Sequence, residues 1–130
     1  MKITKFEDLT IWKDSLALTK LIYDHTATSK FSRDFPLRDQ IRRAVISISS
    51  NIVEGFEKNN NNEFCRFLRI SKGSVGEVKN QLYIASELGY ISDAERMSLF
   101  EKLEKLAKQI GAFIVYLEKS KAIKLATRNS

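Results

Sequence analysis

One cysteine, one proline and one histidine are all that 130 residues contain of those three types. The lone Cys65 excludes an internal disulfide framework and suits a reducing compartment. With only His25 and Cys65 available, zinc-ligand spacings are absent, and so are the paired Glu-x-x-His motifs of a di-iron bundle. Long apolar runs are missing too: none approaches the ~18–20 residues that span a bilayer. The start, "MKITKFEDLTIWKD", is interrupted by charge and cannot serve as the apolar core of a signal peptide. No membrane partner is expected, and a cytoplasmic location is.

What is present is enough for one folded domain. A chain of this size buries about two-thirds of the surface its unfolded form exposes. A hydrophobic share of 43% beside 29% charged residues is that of a globular rather than a disordered chain. The net charge is +6, an argument about polyanions and not about fold. Much of it is local: after Glu118 the tail carries Lys119, Lys121, Lys124 and Arg128 and no acid. The expected organisation is a single domain over residues 1–120 and a basic tail over 121–130. A solvated terminus and a nucleic-acid contact are both open readings of that tail.

The stretch "QIRRAVISISSNIVEGF" tests the fold class, because "VISIS" alternates like a half-buried strand. As a strand, its better face would hold Arg42, Ala44, Ile46, Ile48, Ser50, Ile52, Glu54 and Phe56, with an arginine and a glutamate in the core. As a helix, its stripe is Leu37, Ile41, Ala44, Val45, Ile48, Ile52, Gly55 and Phe56, free of charge. Helix is the better account despite the β-branched residues, and Pro36 stands at its first turn, where proline is tolerated. The same period places Leu9, Trp12, Leu16, Tyr23 and Ala27 on the core face of a first helix over residues 8–27. Phe64, Phe67, Leu68, Ser71, Val75, Val78, Leu82 and Ala85 line a third, which stops near Gly89. A fourth opens on a Ser92–Glu95 capping box, with Leu99, Leu103, Leu106, Ile110, Phe113 and Leu117 inward. Connections are short apart from residues 28–35, so the expected architecture is all-α, an antiparallel up-down four-helix bundle.

Two helices carry more apolar surface than one core uses. Ile11, Leu18 and Ile22 project opposite the chosen face of the first helix, and Ile46 and Val53 flank the second beside Ser49. A helix apolar on two sides is usually sandwiched, which points to another copy of the chain as partner. Gly73 and Gly76, on the outer side of the third helix, each cost about 1 kcal/mol against alanine and would admit a close partner backbone. Between the second and third helices, Gln40, Ser47, Asn51 and Glu54 face Ser74, Glu77 and Gln81. These are expected to form a hydrogen-bonded network that specifies register rather than chemistry.

A search for catalysis finds little. His25 reads as a cation at a helix C-terminus and Cys65 as a packing residue. Glu54 and Glu77 form a carboxylate pair without a second catalytic element, and "KGSVGE" lacks the spacing of a phosphate loop. No enzyme activity, metal or cofactor is expected. Arg38 and Arg42 share a face one turn apart, and Arg66, Arg69 and Lys72 run along the third helix. Arginine forks suit phosphate, so with Lys121 and Lys124 these are the candidate contacts to RNA or DNA, mostly backbone-directed and salt-sensitive. The rival is an adaptor that binds a protein.

Three blocks carry a family resemblance: "FEDLTIWKDS", "LRDQIRRAVISISSNIVEGF" and "FCRFLRISKGSVGEVKNQLYIASELGYI". In order and spacing they resemble the bacterial four-helix-bundle proteins encoded by intervening sequences of large-subunit (23S) rRNA genes, from about Phe6 to Glu118. Ile52-Val53-Glu54-Gly55 stands where that family usually has Ile-Ala-Glu-Gly, and Ser49 where proline is frequent. The resemblance implies a homopentameric ring with a central channel. It also brings in a relative, the basic accessory protein of diversity-generating retroelements, and with it a reverse transcriptase as a candidate protein partner.

Overall fold

The "VISIS" segment is helical, and so is nearly everything around it. The structure is a computed structural model that describes residues 3–129, with the backbone alone for Ser29 and residues 121–129. Among the described residues there are five α-helices and no strand: α1 (Thr10–Thr26), α2 (Ser29–Arg33), α3 (Phe35–Glu57), α4 (Asn61–Glu87) and α5 (Asp93–Asn129), after a 3-10 turn at Phe6–Asp8. α2 lies inside the stretch 28–35 that the sequence reading leaves as a connection. One short turn is too brief to show a period, yet Phe31 anchors it with no solvent exposure.

The helix ends have identifiable causes. Asp34 accepts from the Leu37 amide at 3.2 Å and Pro36 sits in the first turn of α3. Asn60 accepts from the Glu63 amide at 3.0 Å to start α4. The Ser92 hydroxyl accepts from the Glu95 amide at 3.1 Å while the Glu95 carboxylate accepts from the Ser92 amide at 3.0 Å, a complete capping box. α4 stops at Gly89, whose φ of +76° is the left-handed conformation that glycine adopts without strain. There the Tyr90 amide bonds the Ala85 carbonyl and the Gly89 amide bonds the Ser86 carbonyl, the paired closure of a Schellman motif.

Packing is most extensive between α3 and α4, followed by α4 with α5 and α1 with α3, and α1 closes the cycle on α5. The α3–α4 seam is built from small residues. A Cβ on Gly55 would sit 2.8 Å from the Phe67 Cβ and 3.3 Å from the Phe64 carbonyl oxygen. The buried Ser71 hydroxyl donates across the seam to the Ile48 carbonyl at 2.7 Å. The bundle interior is aliphatic, with Ile22, Ile41, Ile48, Ile52, Leu68, Leu82, Leu103 and Ile110 fully enclosed.

α1 corrects the sequence reading. Ile11, Leu18 and Ile22 are buried in the core at 4%, 3% and 0% exposure, so they are not available to another subunit. Leu16 and Tyr23, assigned to the core, are 50% and 37% exposed instead. The inward stripe is Ile11, Ser15, Leu18, Ile22 and Thr26. Its two hydroxyls bond carbonyls of their own helix, Ser15 to Trp12 at 2.7 Å and Thr26 to Ile22 at 2.8 Å, and so enter the core already satisfied. Counted as polar, they hid the true face.

Gly55→Ala should cost about 1–2 kcal/mol, because the added methyl meets backbone and a Cβ rather than a flexible side-chain end. Gly73→Ala and Gly76→Ala, where the methyl meets nothing within 4 Å, should each gain up to about 1 kcal/mol in a single chain. Urea midpoints of the three variants check this; a neutral Gly55→Ala would mean that the seam gives way more easily than its geometry implies.

Candidate functional site

The polar residues expected along the α3–α4 seam divide into two groups. Ser74 donates to the Ser47 hydroxyl at 2.9 Å, and Asn51 donates to the Ser47 hydroxyl at 2.9 Å and to its carbonyl at 2.8 Å. Gln40, Glu54 and Glu77 are exposed and stand outside this chain of bonds, because their longer side chains carry their heads past the seam into solvent. Gln81 is buried, yet its side-chain oxygen finds no partner among the described residues.

Two of the three arginines of α3, Arg38 and Arg42, are occupied within the chain, while Arg43 is exposed. Arg42 donates to the Thr26 hydroxyl at 2.8 Å and to the Tyr23 carbonyl at 3.4 Å, and stacks on the Tyr23 ring at 4.3 Å. Arg38 bonds the Ser32 carbonyl at 3.2 Å and pairs with Asp39 at 3.0 Å. Both clamp the last carbonyls of α1 and α2, where a cation also suits the helix dipole. Their forks have little left to offer a phosphate.

The basic residues of α4 are more open. Arg66 pairs with Glu63 at 2.9 Å over the Phe67 ring, Arg69 pairs with Glu118 of α5, and both side chains are 57% exposed. Lys58, unremarked in the sequence reading, approaches the same Phe67 ring at 5.7 Å. Lys72 is exposed beside Gly111. The side chains of Lys121 and Lys124 lie outside the described residues. Gly73 and Gly76 are exposed on α4, and on α3 Ile46 is 41% exposed and Val53 half-buried.

At the same end of the molecule is a feature that the sequence reading passed over. That feature is the asparagine run, residues 59–62, which the sequence pattern marks only as lying between the second and third helices. It rims an open cavity of about 880 Å³ between residues 3 and 4, the α3–α4 turn and α5. Phe56, Phe64 and Phe113 line it, with Phe56–Phe64 and Phe64–Phe113 ring centroids 6.0 and 5.5 Å apart, and Tyr116 stands 5.8 Å beyond Phe113. By sequence pattern Phe56, Phe64 and Phe113 are core residues and Tyr116 has no assignment. The signal available was an aromatic cluster beside a polar, uncharged loop.

The opposite end is tied shut. Tyr90 donates to Asp34 at 2.9 Å, and its hydroxyl is pushed up from its ordinary range first by that bond, then by desolvation and the Asp34 charge. His25 at the end of α1 lies 3.2 Å from Glu95 of α5. Glu95 is held below the ordinary carboxylate range, chiefly by the Ser92 amide, then by the Ser92 hydroxyl and by the neighbouring His25. Cys65 is buried with its sulfur 3.9 Å from the Ile114 carbonyl. Among the described residues no three of His, Cys, Asp and Glu gather as a metal set would. Nor, among the described residues, is any helix long and apolar enough to cross a membrane.

Residues 7–112 match the sequence profile of the family described as 23S rRNA-intervening sequence protein. The chain belongs to that family. Among solved structures, this family member is similar to a protein of unknown function from the S23 ribosomal protein family of Bacteroides thetaiotaomicron. The two share 21% identity and superpose with a TM-score of 0.73, over 81% of this chain and 98% of the other. That likeness establishes the fold. A comparison with the curated proteins finds no match. Neither description names a catalytic activity.

Two measurements follow from this geometry. Ser47→Ala and Ser74→Ala should be non-additive by about 0.5–1 kcal/mol in a double-mutant cycle, since each removes the partner of the other; strict additivity would dissolve the network. For Glu95, a carboxyl depressed in the folded state adds stability above its unfolded pKa and loses it as pH falls through the folded value. Ser92→Ala should therefore cost about 1 kcal/mol at neutral pH. Glu95→Gln should remove part of the stability lost between about pH 5 and pH 3, read by thermal unfolding across that range.

Proposed function

We infer that this family member is a non-enzymatic, antiparallel up-down four-helix bundle that self-associates and binds RNA or DNA backbone through its basic end. The cycle of packing from α1 through α3, α4 and α5 supports the bundle, as do the short connections on either side of α4. Self-association is supported by exposed apolar residues on adjoining helices: Leu16 and Tyr23 on α1, Ile46 on α3 and half-buried Val53. Homopentamer is the stoichiometry that the family resemblance implies. A ring of that kind uses one heterologous interface repeated about an axis.

The observation that carries the nucleic-acid reading is the run of Arg66, Arg69 and Lys72 along the first half of α4, with Lys58 beside Arg66 at the Phe67 ring, on a chain of net charge +6. The acids paired with Arg66 and Arg69 are themselves exposed, so a phosphate can replace them at little cost in burial. A second reading is an adaptor that binds a protein such as a reverse transcriptase. It is favoured by Ile70 and Ile84 on α4 and Leu88 at its C-terminal cap, exposed at 44%, 41% and 53%. A cytoplasmic location belongs to both readings.

Fluorescence anisotropy with a labelled structured RNA and a labelled duplex DNA, across a salt series, tests the first. Affinity should fall steeply with salt, and Arg66→Gln with Arg69→Gln should flatten the logarithmic slope by about 1–2. An absence of binding at low salt removes the nucleic-acid reading and leaves the adaptor. Leu16→Asp with Ile46→Asp, both at exposed positions, should reduce the assembly to monomers in sedimentation; an unchanged mass would move the interface elsewhere.

A further inference from the structure

We propose that the cavity at the α3–α4 turn is a base pocket, which takes one unstacked nucleobase of a single-stranded nucleic acid. The inference rests on the nucleic-acid reading and adds what that reading lacks, a means of telling single strands from duplex.

The argument begins with charge. Of the described residues lining the cavity, Glu57 alone is charged. A carboxylate there opposes a phosphate or any other anion inside, while no metal-ligand set accompanies it among the described residues. The cations lie outside the lining: Lys58 and Arg66 are held over the Phe67 ring at 5.7 and 4.5 Å, with Arg69 one turn further along α4. A described lining without a cation, and positive charge outside it, is the division that a nucleotide presents, with a flat neutral base on one side of the sugar and an anionic backbone on the other.

The lining suits a flat ring. Phe64 and Phe113 stand with centroids 5.5 Å apart and planes inclined at 55°. Tyr116 continues the row and is 52% exposed, which leaves a π-face at the rim for a base to stack against. Asn59 and Asn61 also line the cavity, and each carries a side-chain amide. An amide offers a donor and an acceptor side by side, the pattern that pairs with the N6 and N7 edge of adenine. A cavity of about 880 Å³ has room for a base and its sugar. A duplex cannot present a base in this way without unstacking it, so the pocket favours single strands.

The test uses the full chain with three probes: a labelled single-stranded oligoadenylate, a labelled duplex of the same length, and adenosine monophosphate as competitor. Tyr116→Ala, at an exposed position, should weaken the single strand about tenfold and leave the duplex unchanged. Tyr116→Phe keeps the ring and should retain the wild-type preference. A 2-aminopurine within the strand should change fluorescence on binding to the wild type and to Tyr116→Phe, and not to Tyr116→Ala. Equal affinity for single strand and duplex, with Tyr116→Ala affecting neither or both alike, overturns the base pocket while leaving backbone binding at the basic end intact. Full displacement of the oligonucleotide by adenosine monophosphate at comparable concentration overturns the polynucleotide form and assigns the pocket to a free nucleotide. Binding of neither polymer at low salt overturns this inference together with the reading on which it rests.

Discussion

The close approach of α3 and α4 is the constraint on which the rest of the molecule depends. At Gly55 the two helices leave no space for a Cβ, and the neighbouring Phe64 and Phe67 fill the seam from the other side. Close packing brings the Ser71 hydroxyl within 2.7 Å of a carbonyl on the facing helix, and lets Ser74 reach Ser47 directly. Side chains of ordinary size at these positions would push the helices apart. The hydrogen bonds would then be lost, leaving buried polar groups unpaired at a cost of about 1–3 kcal/mol each. Small residues and satisfied hydroxyls are therefore a joint requirement: each is useful only because the other is there.

From that seam the two ends of the molecule diverge. Where α1 and α4 finish and α3 and α5 begin, side chains lock the turns together: Asp34 with Tyr90, His25 with Glu95, Arg42 with Thr26, and Phe31 stacked 5.4 Å from Tyr90. Asp34 serves twice, capping α3 with one oxygen and accepting from Tyr90 with the other. At the other end the α3–α4 turn is Lys58, Asn59 and Asn60, with Asn59 in the left-handed conformation at φ of 53°. Asparagine tolerates that conformation better than most residues, so the turn needs no glycine. Its asparagine side chains stay at the surface, where they rim the aromatic cavity. A rigid end and an open one are the expected division of labour between scaffold and binding surface.

Much of the fold was legible in the sequence, and the failures have particular physical causes. The apolar stripes of α3, α4 and α5, the Ser92–Glu95 box and the stop at Gly89 all rest on local chemistry, which acts the same way wherever the chain goes. α1 was misread because periodicity measures how apolar residues are spaced, not which of two apolar stripes a neighbouring helix covers. Ser15 and Thr26 compounded the error, since a hydroxyl bonded to its own helix is polar in composition and satisfied in fact. Of the candidate site, the basic residues of α4 could be named from the sequence. That Arg38 and Arg42 are occupied as clamps could not, because their partners lie on other helices.

By itself, then, the sequence determined the helical class, the caps and stops, and the inward faces of three long helices, because those follow from interactions within a few residues of one another. Only the tertiary structure decided which face of α1 is core, that Ser47, Ser74 and Asn51 meet while Gln40, Glu54 and Glu77 do not, and that an aromatic cavity opens beside the asparagine run. Each of these depends on groups brought together from separate helices, at a distance and angle that the α3–α4 seam sets and no local pattern encodes.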